Sequence, residues 1–318
     1  MDHVPVLVES VVDLLAPALA TGGTVVDSTL GRAGHAVALL DAAGDVSLVG
    51  IDRDPEAVEA SRARLRPYGD RARVVRGGFE ELPALLERLG VAEVRGVLFD
   101  LGVSSPQLDD PGRGFGYGAE GPLDMRMDPS AALAAHEVVN RYREADLERV
   151  IRRFGEERFA RRIARAIARA RPIRSTTELA EIVRAAIPAA ARRTGPHPAR
   201  RTFQALRIEV NGELRALERG LEAAIDVLEP GGRVVVISYH SLEDRIVKNA
   251  FASEARGCVC PPDLPVCRCD ARARVRILTR RPVRPSPAEV AANPRSRSAR
   301  LRAAARVAPQ RGDLEDAA

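Results

Sequence analysis

Residues 24–35 read Thr-Val-Val-Asp-Ser-Thr-Leu-Gly-Arg-Ala-Gly-His, a short β-branched run that stops at an acid and then turns through two glycines. The run predicts a strand from Thr24 to Asp27, and the glycines predict a turn where backbone can approach a ligand closely. The same grammar repeats outward along the chain. Ser47 to Asp52, Arg73 to Val75 and Gly96 to Asp100 predict three more strands, with candidate helices between them at about 7–19, 34–43, 55–66 and 80–89, each near a Gly or Pro boundary. Strands alternating with helices predict a parallel sheet with crossover helices, an α/β fold.

After Asp100 the alternation stops. A loop rich in Gly, Pro and Asp, Leu101 to Pro129, leads into Ala134 to Arg207, which has helical periodicity and no strand signal. Regular grammar resumes with a helix around Ile208 to Leu228, the turn Glu229-Pro-Gly-Gly232 and a strand from Arg233 to Tyr239. The pattern predicts an α/β domain in two parts, 1–107 and 208–255, with an all-helical domain, 108–207, inserted between its fourth and fifth strands. Residues 256–318 form a tail rich in Cys, Pro and Arg, expected to be irregular with short strands and to end in disorder.

Composition narrows the function classes. A chain of 318 residues suits a large α/β domain plus a satellite. No apolar run reaches the ~18 residues of a spanning helix, and the start MDHVPVLVES lacks the basic and apolar stretches of a signal peptide, so a cytoplasmic protein with no membrane role is expected. Of 49 basic residues all but Lys248 are Arg, and their placement is uneven. Residues 141–207 hold 18 Arg against 7 acids and residues 256–311 hold 14 Arg against 3, each a net of +11, while the last seven residues carry −3. Two basic appendages on an otherwise acidic chain favour a polyanionic partner, because phosphate neutralisation needs clustered cations. The bland alternative is a solvated arginine face produced by codon bias.

In an open α/β sheet, ligands bind at the carboxyl ends of the strands. The first predicted strand ends on Asp27 and the turn Gly31 to His35. The second ends on Asp52, where an acid accepts hydrogen bonds from ribose hydroxyls; the third leads to Gly77-Gly-Phe79, with an aromatic ring placed to pack on adenine; the fourth ends on Asp100. Taken singly, each acid is as readily a cap, and Phe79 as readily core. Four in register point to a nucleotide-like cofactor, either a nicotinamide dinucleotide or S-adenosylmethionine. Gly31 and Gly34 alone do not make Gly-x-Gly-x-x-Gly, so the pyrophosphate cradle is missing and the methyl donor is favoured.

Several strings are far less degenerate than these. They are His3-Val-Pro-Val-Leu7, Gly31 to His35, Ile51-Asp-Arg-Asp-Pro55, Asp100-Leu-Gly-Val-Ser-Ser-Pro-Gln-Leu-Asp109, Gly121-Pro-Leu-Asp-Met-Arg-Met-Asp128, Gly155-Glu-Glu-Arg-Phe159, Arg201-Thr-Phe-Gln-Ala-Leu-Arg207 and Ser238-Tyr-His-Ser-Leu-Glu-Asp-Arg245. Through them nearly the whole chain resembles the MraW family, also called RsmH, of bacterial 16S rRNA cytidine-N4 methyltransferases. The resemblance implies a class I, Rossmann-like methyltransferase sheet with a helical insertion, and methylation of a cytidine near the ribosomal P site. It places the cofactor contacts on Ala33, Gly34, His35, Asp52, Phe79, Asp100 and Gln107. Ala33 stands where the family often has Gly, which is expected to be harmless if its φ is negative. Tyr239 stands where Phe is common.

The exocyclic amine of cytosine is a poor nucleophile because its lone pair is delocalised into the ring. An enzyme must orient it and accept a hydrogen bond from its N–H. Asp100, or a carbonyl of the loop after it, is the candidate acceptor; a purely cofactor-binding Asp100 stays open. Tyr239 and His240 follow the fifth strand and are tentative catalytic partners, placed to stack on or hydrogen-bond a flipped base. Alternatively Ser241 caps the next helix with Asp244, and His240 is structural. Methylation at ring carbon 5 would need a Cys nucleophile, and no Cys precedes position 258, so nitrogen is the expected acceptor.

No metal is expected in that chemistry. Cys258, Cys260, Cys267 and Cys269 could hold a structural zinc, with reduced thiols as the plain alternative. Arg161, Arg165 and Arg169 recur at helical spacing and make a candidate phosphate track. Aromatic residues are only 3%, which argues against an extensive stacking platform and for recognition of a structured particle, the small ribosomal subunit, rather than DNA. The rival readings are a methyltransferase of proteins or small molecules, which would not need two basic appendages, and a nonenzymatic RNA-binding protein, which should have lost the strand-end residues.

Overall fold

Among the described residues, seven strands form one sheet in the order β3-β2-β1-β4-β5-β7-β6. The structure is a computed structural model describing residues 5–192, 197–257, 260, 269 and 272–308. It divides into two compact units, 1–102 with 214–318, and 103–213. The sequence pattern alone predicts these boundaries at 107/108 and 207/208.

In the first unit the order is α1 (Val8–Leu19), β1 (Gly23–Asp27), α2 (Gly34–Ala42), β2 (Val46–Asp52), α3 (Pro55–Leu65), β3 (Ala72–Arg76), α4 (Leu82–Arg88) and β4 (Val94–Asp100). These four strands and β5 are parallel. Alternate residues go to opposite faces: Val26, Ile51, Val97, Phe99 and Val236 join one buried cluster, while Val25, Leu48, Leu98, Val235 and Ile237 join another. A parallel sheet buried on both faces needs helices on both, which is why its strands read as continuous apolar runs. The order reverses between β1 and β4, and at such a switch point the flanking connections leave on opposite faces, opening a crevice above the strand ends.

The second unit holds α5 (Ser105–Asp109), α6 (Ala135–Arg141), α7 (Glu144–Gly155), α8 (Ala160–Ala170), α9 (Thr176–Ala186), α10 (Ala189–Arg192) and α11 (Arg200–Asn211). On α8, Ala160, Ile163, Ala164 and Ile167 are buried at the i, i+3, i+4, i+7 spacing of one helical face. Gly155 lets α7 meet α11, since a Cβ there would fall 2.6 Å from the Arg201 carbonyl oxygen. The loop before α6 is pinned at Met125, a fully buried residue with φ of 60°. Asn211 holds it from both sides, donating to the Met125 carbonyl and accepting from Met127 N–H, each at 2.8 Å. Asp124 and Arg126, to which the sequence assigns no role, form a two-pronged ion pair beside it at 2.9 and 2.7 Å.

The chain then returns to the first unit as α12 (Glu213–Val227), β5 (Leu228–Ser238), α13 (Ser241–Glu254), β6 (Val275–Ile277), α14 (Pro287–Ala292) and β7 (Arg300–Arg306). Two expectations change here. The helix expected to start near Ile208 is two helices, broken where Gly212 takes φ of 60° at the end of α11. Glu229 to Gly232 bulge out of the β4 pairing, which jumps from Val94↔Leu228 to Gly96↔Arg233. The tail, expected to be irregular with short strands, supplies β6 and β7, the latter antiparallel to β5 with Leu301 to Ala305 buried. Arg302 is tolerated inside that strand because its guanidinium meets Asp244 of α13 at 2.6 Å, and Arg300 meets the same carboxylate at 3.0 Å.

Candidate active site at the strand ends

β1 delivers Asp27 to the crevice almost fully enclosed, at 1% exposure. Its Oδ1 accepts the Thr29 N–H at 3.2 Å. Burial pushes its carboxyl from an ordinary 3.8 up to about 7, against the pull of His35 and the Thr29 N–H and with the help of Asp100 and Asp52. The next residue, Ser28, buries an Oγ that has no hydrogen-bond partner among the described residues.

The turn after β1 packs tightly. Gly31, at φ of 51°, donates its N–H to Asp52 Oδ2 at 2.8 Å. Ala33 departs from expectation: its φ is +59°, not negative, because it must reverse the chain immediately before α2, whose first turn its carbonyl accepts through Val37 N–H. An L-residue in this conformation costs ~1–2 kcal/mol, while its fully buried methyl returns ~0.8 kcal/mol. Ala33→Gly also adds chain entropy to the unfolded state, so the terms nearly cancel and urea unfolding should place the variant within about 1 kcal/mol of the parent. Gly34 opens α2 with its Cα against Pro5, leaving no room for a Cβ. His35 is buried, with Nε2 2.9 Å from the Val6 carbonyl oxygen and Nδ1 3.6 Å from Asp100 Oδ2.

Asp52 ends β2. Its two oxygens accept Gly31 N–H and Asp54 N–H at 2.8 and 2.9 Å, which leaves each a second lone pair for hydroxyl donors. Burial raises its pKa. Phe79 follows β3, half-buried, with Phe99 edge-on at 5.5 Å and the Arg53 guanidinium 5.5 Å above its ring. Gly220 of α12 makes room for it: a Cβ there would fall 2.6 Å from Phe79 Cδ2. Gly220→Ala must therefore displace the ring, and calorimetry should show S-adenosylmethionine binding roughly tenfold weaker with the fold retained, on the scale of one aromatic interaction.

Asp100 ends β4 beside Tyr239, whose hydroxyl donates to Asp100 Oδ1 at 2.8 Å. Burial, with Asp100 next, raises the Tyr239 pKa far above its usual range, so the phenol stays a donor. Tyr239 packs against Gly102, whose φ of 109° brings the chain close. The hydroxyl therefore braces Asp100. His240, a catalytic candidate by sequence, is the cap of α13: its Nδ1 accepts the Glu243 N–H at 3.3 Å, and Glu243 accepts the N–H groups of Tyr239 and His240 at 2.7 and 3.2 Å. The cap expected at Ser241 with Asp244 sits one residue earlier, and Asp244 is taken by β7. Gln107 belongs to the helical unit, where it is buried and completes a capping box with Ser104.

Among the described residues no three His, Cys, Asp or Glu gather as a metal site. Cys258 and Cys267 of the suggested zinc cluster lie outside the described residues; Cys260 and Cys269 are half-buried. Among the described residues, no helix is long and apolar enough to cross a membrane.

With this geometry in place, the MraW methylase family model matches residues 1–307. The chain belongs to the MraW methylase family. Curated relatives named ribosomal RNA small subunit methyltransferase H include that of Thermobifida fusca, 55% identical with 96% of this chain and 93% of the relative covered. That of Symbiobacterium thermophilum is 54% identical, covering 96% of both chains. A solved putative rRNA-methylase from Clostridium thermocellum covers 96% of this chain and 100% of that chain at 11% identity and TM-score 0.45. The sheet of this MraW-family chain, with its reversed β7 and inserted helical unit, is of the class I methyltransferase type. Sequence reasoning missed two residues that build the site, Glu243 and Gly220. The His240-to-Glu243 spacing is that of a capping box and could have revealed the first; nothing local to Gly220 announces the ring it admits.

Proposed function

We propose that this MraW-family methylase transfers a methyl group to the exocyclic N4 amine of one cytidine of 16S rRNA, near the ribosomal P site, in the cytoplasm. The coarser part, a small-subunit rRNA methyltransferase using S-adenosylmethionine, follows from membership and from relatives of matching length. The observation that carries the finer part is the Asp100 carboxylate, braced through Oδ1 by Tyr239 at the switch-point crevice.

The strand-end residues suit the cofactor. S-adenosylmethionine supplies an electrophilic methyl group carried on sulfur. Asp52 has lone pairs left for ribose hydroxyls, the Phe79 ring offers an apolar face for adenine, and Gly34 and His35, held in place by Ala33 whose own N–H is donated to the Leu30 carbonyl, present backbone N–H groups at the start of a nine-residue helix, where a carboxylate is favoured. The unpartnered Ser28 hydroxyl adds a buried donor at the same rim. Gln107 is assigned to this set by family resemblance.

Asp100 Oδ2 accepts the hydrogen bond from the cytosine amino group and holds its proton as the amine becomes a nucleophile. Tyr239 is a positioning residue for it, and His240 positions Tyr239 through the shared Glu243. The helical unit, with its net positive charge, recognises the substrate. Incubating the chain with labelled S-adenosylmethionine and small ribosomal subunits lacking the modification should place label in the RNA fraction. Label in protein or in small molecules alone would instead assign another substrate class.

A further inference from the structure

A second recognition feature lies wholly within the helical unit, at the entrance to α8. The exposed Arg158 guanidinium sits over the half-buried Phe159 ring, 4.6 Å from its centroid. With Pro188, Ala190 and Ala191 the pair lines an open hollow of about 540 Å³. Along the exposed face beyond it run Arg161, Arg162, Arg165 and Arg169; from Arg162 onward they are spaced by three or four residues, about one turn of ~5.4 Å. Elsewhere in this unit some exposed arginines are answered, Arg143 by Asp146, Arg152 by Glu148 and Arg184 by Glu181, while Arg141, Arg153 and Arg174 have no ion pair among the described residues. Here Arg165 alone is answered, by Glu144 at 3.6 Å. Arg158, Arg161, Arg162 and Arg169 have no ion pair among the described residues. That revises the expected track, in which Arg165 counted as an available cation.

Uncompensated guanidiniums in a row, ending at an aromatic ring, suit a partner that is both polyanionic and ring-bearing. Phosphates meet the row, and one unpaired base meets the ledge, where stacking and cation–π attraction act together. An acidic protein segment would satisfy the charges but leave the ring without a use. We propose that the Arg158–Phe159 ledge takes one unstacked base of a single-stranded RNA segment whose phosphates follow the arginines of α8. The inference rests on the rRNA reading above and specifies where a strand of that substrate is gripped.

The test uses the full chain and a single-stranded RNA of roughly 12 nucleotides carrying one 2-aminopurine, whose fluorescence falls on stacking. The wild-type chain should bind and quench it. Phe159→Leu and Arg158→Ala should each abolish the quench and weaken binding on the order of 10-fold. Arg162→Ala with Arg169→Ala, both solvent-facing, should retain the quench at saturation and reduce the salt slope by about 1.4, or ~0.7 for each phosphate no longer neutralised. Unchanged binding and quench in Arg158→Ala, with helicity intact by circular dichroism, overturns the proposal. So does displacement by polyglutamate as readily as by polyuridine. Failure of the functional reading looks different: small subunits stay unlabelled by the wild-type chain, whatever the oligonucleotide result, which alone decides the ledge.

Discussion

Asp100→Asn is expected to lower the turnover of methyl transfer by about 10²–10⁴-fold, the scale of a positioned proton acceptor. The substitution is nearly isosteric. Its amide oxygen can still accept the Tyr239 hydroxyl now 2.8 Å from Oδ1, so the crevice should keep its shape. What changes is the other atom: an NH₂ group donates where a carboxylate oxygen accepted, and the substrate amine meets a donor. S-adenosylmethionine affinity, measured by calorimetry, should fall much less than turnover. Tyr239→Phe should give a smaller loss, because the carboxylate persists and only its brace goes. Undiminished turnover in Asp100→Asn would remove the carboxylate from the chemistry and leave it a cofactor contact.

Asp27 predicts an effect on stability with a definite sign. Its carboxyl titrates at about 7 in the folded chain against an ordinary 3.8, because burial penalises the charged form. Between those values the folded chain binds a proton that the unfolded chain does not. The stabilisation is fully present below 3.8 and is lost as pH rises through 7. Asp27→Asn keeps an acceptor for Thr29 N–H and cannot ionise. From pH 5 to pH 9 the wild-type chain should lose roughly 2–4 kcal/mol of unfolding free energy relative to the variant, measured by urea denaturation at each pH. Parallel curves for the two proteins would mean that Asp27 titrates in its ordinary range.

The parallel strands are legible because β-branched runs ending on Asp27, Asp52 and Asp100 combine a burial signal with a chemical one. β7 is not. Ala303-Ala304-Ala305 has no strand propensity, and Arg302 reads as surface until Asp244 is found across from it. Propensity is local, whereas this strand exists because β5 offers an edge. The cofactor residues of the first unit are readable by type and position, but their state is not. A buried acid at the end of β1 looks the same in sequence whether it titrates near its ordinary value or near 7, since enclosure comes from segments far along the chain. The same holds for Tyr239, whose partner is 139 residues away. Ala33 shows the converse: the turn demands left-handed backbone, and the residue complies because tertiary packing outweighs a cost of ~1–2 kcal/mol.

The role proposed for Asp100 is to serve a nitrogen acceptor on cytosine. Small ribosomal subunits lacking the modification, methylated by the chain with labelled S-adenosylmethionine, can be digested to nucleosides and separated by mass spectrometry. Label is expected in N4-methylcytidine at a single site of 16S rRNA. Label in 5-methylcytidine, in another nucleoside or at many sites would contradict it.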